Sequence, residues 1–95
     1  MDKKLDPLLH NELRLAITSL LVKEGEADFV YLKEKTQATS GNLSVQLDKL
    51  SEAGYISVHK HFKGKKPHTT CNINRKGIEA FEAYVKAIQD YLDLE

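Results

Sequence analysis

Residues 40–56 decide the fold of this 95-residue chain, and they read SGNLSVQLDKLSEAGYI. Three leucines in this stretch recur at helical spacing and therefore share one helix face: Leu43, Leu47 and Leu50. Thr39 or Ser40 supplies the N-cap, and Gly54 stands where a left-handed glycine ends many helices. The stretch predicts a helix over about 39–53 that buries its leucines and exposes its polar residues.

Two further helices are predicted before this stretch. Asp6 and Pro7 supply an N-cap and a first helical position for the first of them. An apolar stripe at helical spacing follows, made of Leu9, Leu13, Ala16, Ile17 and Leu20. Asp28 is the predicted N-cap of a second, short helix that runs to about Lys35. A brief connection at 36–38 then leads to the third helix.

After the third helix the pattern changes to the two-residue alternation of a half-buried strand, over residues 55–62. A lysine-rich turn follows at 63–67. The return strand is predicted at 69–74, with Cys71 and Ile73 on one face. The two strands together form a small β-hairpin.

A long last helix is predicted from about Arg75, with Asn74 as its cap. Its apolar residues form a short heptad seam, Ile78, Phe81, Val85, Ile88 and Leu92. A second, semi-apolar stripe runs beside the seam through Ala80, Tyr84, Ala87 and Tyr91. A helix that is apolar on two faces in so small a domain needs two partners, so we predict a homodimer built from this helix together with the first. The predicted interface residues are Ile78, Phe81, Tyr84, Val85, Ile88, Tyr91 and Leu92.

The resulting order, α1-α2-α3-β-β-α4, is a mainly α fold with a small β-hairpin. Within it, residues 32–36 (LKEKT), the stretch 40–56 and residues 74–77 (NRKG) resemble the winged helix-turn-helix transcriptional regulators of the MarR/ArsR type. The resemblance covers nearly the whole chain. It implies one winged-helix domain over residues 1–95, with a helix-turn-helix at about 28–53, a wing at about 55–74 and a C-terminal dimerisation helix at about 75–93.

That resemblance implies a regulator that binds double-stranded DNA, and the third helix carries side chains suited to this. With the leucines inward, its outward polar residues are Ser40, Asn42, Ser44, Gln46 and Lys49. Hydroxyl and amide side chains reach base edges or phosphates in a major groove, and Gln46 is suited to bidentate pairing with adenine. The scarcity of charged residues argues against a merely solvated face. Val45 is either partly buried or in contact with a thymine methyl group.

The predicted wing is locally basic, because residues 60–68 hold four lysines and no acid. The wing residues predicted to bind DNA are Lys60, Lys63, Lys65, Lys66 and His68. We favour contact with phosphates, since lysines crowded around a tight turn repel one another unless a polyanion is near. The alternative is a soluble hairpin tip whose lysines protect a strand edge. The absence of arginine argues against insertion into a narrow minor groove.

The overall charge does not suggest a nucleic-acid partner, because 14 basic and 14 acidic residues give a net charge of zero. The charges are nevertheless segregated. Between Glu79 and Glu95 there are five acids against one lysine, Lys86. The local field near the lysines is what guides a polyanion, so the neutral total does not exclude DNA.

Location follows from what the sequence lacks. No apolar run approaches the roughly 20 residues that span a membrane, and Met1–Pro7 lacks the apolar segment of a signal peptide. The single cysteine, Cys71, excludes an internal disulfide and fits a reducing compartment. We therefore expect a cytoplasmic protein without a membrane partner.

Four residues of types that bind metals lie in or near the predicted wing. These are His59, His61, His68 and Cys71, but an inward-facing single cysteine is a thin ligand set, and no metal is predicted. The wing histidines are also candidates to add positive charge below pH about 6.5. Cys71 is interpreted as a small buried hydrophobe. No catalytic grouping or phosphate-binding loop is present, so neither an enzyme nor a cofactor is predicted.

The predicted function is therefore sequence-specific binding of double-stranded DNA in transcriptional regulation. A repressor is favoured because no activation domain is recognised, and a homodimer predicts a pseudo-palindromic site. By resemblance, regulators of this kind often respond to a small-molecule effector, although nothing in the sequence identifies its pocket. The alternative is a winged-helix module that contacts another protein and does not bind DNA.

Overall fold

The computed structural model describes residues 4–93 as four helices and three strands. In chain order these are α1 (Glu12–Glu24), β1 (Glu26–Asp28), α2 (Phe29–Thr36), α3 (Ser40–Glu52), β2 (Ile56–Lys63), β3 (Lys66–Ile73) and α4 (Arg75–Leu92). The predicted order of helices and hairpin is confirmed, with one additional strand. Residues 1–3 and 94–95, including Glu95 of the acidic segment, lie outside the described residues.

The predicted start of the first helix at Asp6 and Pro7 is wrong. Asp6 closes only a single turn, in which its carbonyl accepts from the backbone N–H of His10 at 2.8 Å. The chain then extends at Asn11, with φ −152°, and Asn11 caps the helix that begins at Glu12. Asn11 is itself a strong N-cap residue, and its extended backbone interrupts the helical pattern that the apolar spacing suggested.

This N-terminal turn is tied to the body of the domain. Leu9 lies fully buried in the core, and the Tyr55 hydroxyl donates to Oδ2 of Asp6 at 2.5 Å. Burial, with the hydrogen bond to Asp6 as the next cause, raises the pKa of Tyr55 to about 12. The turn is therefore held against the domain by the buried Leu9 and by the hydrogen bond between Tyr55 and Asp6.

Strand β1 was not predicted, and it converts the hairpin into a three-stranded antiparallel sheet of order β1-β3-β2. Its register pairs Glu26 with Asn72, Ala27 with Cys71 and Asp28 with Thr70. A three-residue strand is too short to show an alternating pattern in the sequence. Its partner is also distant along the chain, so only the tertiary fold reveals it.

The hairpin is longer than predicted because its turn is tighter. The β2–β3 ladder runs from the pair Ile56–Ile73 to the pair Lys63–Lys66, which leaves a two-residue loop. Gly64, with φ 67°, stands first in this loop, as a type II′ turn requires. The return strand therefore begins at Lys66 rather than at residue 69.

The structure confirms which face of α3 was predicted to be buried. Its buried face consists of Leu43, Leu47 and Leu50, and it packs into one cluster with Leu9, Ile17, Leu21, Leu32, Ile56, Cys71 and Tyr84. Gly54 has φ 81°, the left-handed conformation predicted just after the helix. The leucine face fixes α3 against the domain, and the opposite face of the helix is left to solvent.

The last helix packs with a face that overlaps only one side of its heptad seam, since Phe81 and Ile88 of the seam are half-buried against the core. Residues buried within the chain are Gly77, Tyr84 and Ala87, whereas Ile78 and Val85 of the seam are each 37% exposed and Leu92 is 77% exposed. Tyr84 also shares a 2.8 Å hydrogen bond with Nδ1 of His10. The small residues near Tyr84 let the helix approach the core, and Ile78, Val85 and Leu92 of the seam are left facing outward.

Asn74 occupies the N-cap position of α4, but its side chain does not cap the helix. Its Nδ2 donates to the Gly54 carbonyl at 3.2 Å, and its Oδ1 accepts from the Ser57 hydroxyl at 3.0 Å. The side chain therefore joins the end of α3 to the base of β2, and the expected capping bond is replaced by a link between elements.

Cys71 is fully buried in the core, and burial raises the pKa of its thiol to about 11. Since the thiolate is the reactive form, we expect iodoacetamide at pH 8 to alkylate Cys71 about 100-fold more slowly in the native protein than in urea. Mass spectrometry of timed reactions measures both rates. Equal rates would show that the thiol is not held in the core.

Candidate nucleic-acid interface

Helices α2 and α3 are joined by a tight turn whose local hydrogen bonds fix their relative placement. Asp28 caps α2 by accepting from the backbone N–H of Tyr31 at 2.8 Å. Gln37 ends the helix in the left-handed conformation, with φ 59°. Thr39 then caps α3 by accepting from the backbone N–H of Asn42 at 3.1 Å. The two helices thus form a helix-turn-helix with both predicted caps in place.

The solvent side of α3, opposite its leucines, forms an exposed surface that we call the outer face. Its residues are Gly41, Ser44, Val45, Asp48, Lys49 and Glu52, flanked by Ser40 and Asn42, and all of them are exposed. Val45 lies near the centre and is 49% exposed, which removes the alternative that it is a core residue. Contact of Val45 with a thymine methyl group stays a prediction. Gly41 was not singled out in the sequence, although it lies on this face.

Gln46 differs from the other residues predicted to face DNA. It is half-buried, and its Oε1 accepts a 2.5 Å hydrogen bond from Nη1 of Arg14 on α1. Its Nε2 donates to Oδ1 of Asn42 at 2.9 Å. A DNA-binding role for Gln46 stays a prediction, but bidentate pairing with adenine needs an amide oxygen that is engaged here.

The hairpin ends in a segment, residues 59–67, that is exposed throughout and that we call the wing tip. Lys63 and Lys66 face each other directly across the ladder, and Lys65 occupies the turn between them. Like charges opposite one another destabilise a hairpin. Binding of a polyanion would therefore reduce the repulsion between these lysines. The sequence predicts the same for the lysines of residues 60–66.

An aromatic side chain lies in the wing tip as well. Phe62 pairs with Pro67 across the ladder and is 72% exposed. It shares a strand face with Ile56, which is buried at the base of the sheet. The hairpin extends beyond the core, so this face of the sheet is covered only near its base.

The histidines of the wing have partners within the protein. Nε2 of His68 lies 3.6 Å from Oδ2 of Asp28, and the rings of His68 and His61 meet edge-on at 5.3 Å. Nε2 of His59 lies 3.1 Å from Oδ1 of Asn72. Across residues 4–93 no three histidine, cysteine or carboxylate side chains lie close enough together to hold a metal ion. A DNA-binding role for His68 stays a prediction.

Arg14 is a residue of this region that the sequence did not reveal. It lies on α1, far along the chain from α3, and its Nε also donates to the Leu8 carbonyl at 2.6 Å. A contact between residues so distant leaves no periodic signal. Only the packing of α1 behind α3 brings Arg14 to Gln46.

Two helices joined by a tight turn, an exposed polar helix face and a lysine-bearing hairpin together define a winged helix-turn-helix protein. Residues 13–92 match the family model described as the winged helix DNA-binding domain. The chain belongs to this family. Its resemblance to winged-helix transcriptional regulators is thereby confirmed, and the family is one of DNA-binding proteins rather than of enzymes.

Comparisons with individual proteins agree with this assignment. An uncharacterized protein of Methanocaldococcus jannaschii is 35% identical over 81 residues, which cover 85% of this chain and 88% of that protein. The structure of a transcriptional regulator homologue from Pyrococcus horikoshii OT3 is 31% identical, with a TM-score of 0.76 over 92% of this chain and 89% of the other.

More distant structures share the fold alone. The transcriptional regulator BldR of Sulfolobus solfataricus is 19% identical, with a TM-score of 0.69 over 87% of this chain and 62% of its own.

Within residues 4–93, no helix combines the length and the apolar character needed to cross a bilayer.

Proposed function

We propose that this protein is a sequence-specific transcriptional repressor that binds double-stranded DNA as a homodimer. The observation that carries the proposal is the combination of the exposed outer face of α3 with the lysines of the wing tip, in a chain of the winged helix DNA-binding family. The proposal treats residues 1–95 as one domain with the helix-turn-helix, wing and last helix as its parts. A cytoplasmic location follows from the DNA partner.

The two surfaces have different tasks in this proposal. The outer face of α3 carries short polar residues and few charges, so it supplies contacts with base edges. Ser40, Asn42 and Ser44 lie in the first turns of the helix, the end that enters a major groove first. The lysines of the wing tip supply contacts with phosphates, which give affinity without sequence preference.

Salt dependence tests DNA binding against the alternative of a protein-interaction module. Contact between the four wing lysines of each protomer and about four phosphates predicts a slope near −3.6 per protomer in a plot of log K against log salt concentration, and about −7 for a dimer with both wings bound. Fluorescence anisotropy with a duplex recovered from random sequences measures this slope. Undetectable duplex binding at low salt would favour the interaction module instead.

Dimerisation rests on the part of α4 that the chain itself does not cover. The seam residues Ile78, Val85 and Leu92 form an exposed apolar row along the helix. Beside this row a groove of about 240 Å³ lies between α1 and α4, lined by Leu15, Ser19, Phe81, Tyr84, Val85, Ile88 and Gln89. A second copy of the same surface would bury both the row and the groove. A two-fold dimer would also present two copies of α3 about one DNA turn apart.

The variant V85D tests this interface. One unpaired charge in a buried contact is unfavourable by about 3 kcal/mol, and both protomers carry the substitution, so the dimer dissociation constant should rise by at least about 100-fold. Sedimentation equilibrium measures the change. The control is V30D, which places the same charge at an exposed valine of α2 and should leave the dimer intact. A wild-type protein that stays monomeric at micromolar concentration would contradict the homodimer.

A further inference from the structure

A chain of hydrogen bonds links α1 to the outer face of α3. It begins at the Leu8 carbonyl, which accepts from Nε of Arg14 at 2.6 Å. Nη1 of Arg14 donates to Oε1 of Gln46 at 2.5 Å, and Nε2 of Gln46 donates to Oδ1 of Asn42 at 2.9 Å. This series of hydrogen bonds ends at the exposed amide of Asn42, in the first turn of α3.

Arg14 fixes the direction of every hydrogen bond in this series. A guanidinium group has donors only, so Arg14 can bind only the oxygen of the Gln46 amide. The nitrogen of Gln46 must then point to Asn42 and find an acceptor there, which is the oxygen of the Asn42 amide. The Nδ2 group of Asn42, with two N–H donors, is left to face outward.

An amide whose oxygen is occupied cannot make the bidentate pair with adenine, which needs one acceptor and one donor. An N–H donor instead matches the edge of guanine, whose N7 and O6 are both acceptors in the major groove. Adenine offers N7 but also the N6 donor, and cytosine offers only the N4 donor. Asn42 would therefore discriminate guanine from adenine and cytosine because it presents hydrogen-bond donors and no acceptor.

We propose that Arg14 is a positioning residue that orients the Gln46 and Asn42 amides, so that Asn42 presents N–H donors and selects guanine over adenine. The inference rests on the proposed DNA-binding function and deepens it. It replaces the expectation that Gln46 reads adenine. Arg14 itself need not touch DNA, because it acts through the two amides.

The variant Q46E reverses the polarity while keeping the contact with Arg14. A glutamate has two acceptor oxygens, so one binds Arg14 and the other must accept from Nδ2 of Asn42. The oxygen of Asn42 then faces outward. We expect the wild type to prefer guanine over adenine about fivefold at the contacted position, and Q46E to prefer a base with a donor, adenine or cytosine.

Two substitutions of Arg14 test whether it orients the two amides or only supports the fold. R14M removes the donor, which frees both amides to rotate, and the preference between guanine and adenine should fall below about twofold. R14K retains a donor-only side chain and should keep the guanine preference. N42A should remove the preference at this position in each background. None of these residues lies in the wing, so the salt slope should stay unchanged in all variants.

The measurement selects bound sites from random duplexes and then compares duplexes that differ at one base pair, at one fixed salt concentration. Circular dichroism confirms that each variant is folded, and Q46E carries the test alone if R14M does not fold. Sequence-selective binding with the same base preference in wild type and Q46E would overturn the inference and leave the proposed function standing. Absence of sequence-selective duplex binding by the wild type would overturn both.

Discussion

Reversing the charge of three wing lysines, in the variant K63E/K65E/K66E, should lower the affinity for duplex DNA by a factor on the order of 1,000 at 0.1 M salt. Each change removes one contact with a phosphate and adds repulsion of the same phosphate. Lys65 lies in the two-residue loop of the hairpin and Lys63 and Lys66 flank it, and all three side chains are exposed, so the fold does not depend on them. The loss should therefore leave the stability of the protein unchanged.

The control is K4E/K23E/K86E, which makes the same change in net charge at exposed lysines outside α3 and the wing. Its affinity should fall by less than about tenfold, since exposed charges farther than a Debye length of about 10 Å are largely screened. Fluorescence anisotropy compares the two triple variants on one duplex at one salt concentration. Equal losses would show that total charge, and not the wing, determines affinity.

Replacing Gly77 with alanine should lower the free energy of unfolding by about 1–3 kcal/mol. Alanine ordinarily stabilises a helix relative to glycine by about 0.5–1 kcal/mol, so the expected sign is the reverse of the usual one. The reason is the close approach of α4 to the domain. A Cβ at Gly77 would collide with the backbone carbonyl oxygen of Tyr55 and with the side chain of Ile73.

The matched control for this substitution is G41A on the outer face of α3. A Cβ there has no atom within 4 Å, so the alanine should stabilise the protein by up to about 1 kcal/mol. Urea unfolding followed by circular dichroism measures both free energies. In a domain of this size a change of 1 kcal/mol moves Tm by about 4–8 °C, so opposite signs are readily resolved. A G77A protein as stable as G41A would contradict the packing described for α4.

The parts of the fold that the sequence predicted correctly are those with local causes. The leucines of α3 repeat at helical spacing, and Asp28, Thr39 and Gly54 act at the helix ends through contacts a few residues away. The errors have non-local causes. Strand β1 forms only because β3 lies beside it, and the apolar arc of α4 does not show which part of it meets the core.

In the candidate site, too, the features with local causes were predicted and those with non-local causes were not. Lysines clustered in a turn and polar residues opposite a leucine face are visible in the sequence, and the structure finds them on exposed surfaces. The bond between Arg14 and Gln46 depends on how α1 crosses α3, which no local pattern encodes. The exposure of Phe62 could not be predicted, because alternation shows which residues share a strand face but not how far the core extends along that face.

The short strand β1 has a mechanical consequence for the wing. It pairs with β3 only at residues 70–72, so the sheet has three strands at its base and two toward Gly64. A two-stranded ribbon is marginally stable without a packed face. The base of the hairpin is therefore held by β1, whereas its lysine-bearing end is held only by the β2–β3 pairing and should bend more easily than the base. In the proposed complex this bending would let the wing follow the DNA backbone while α3 keeps its place.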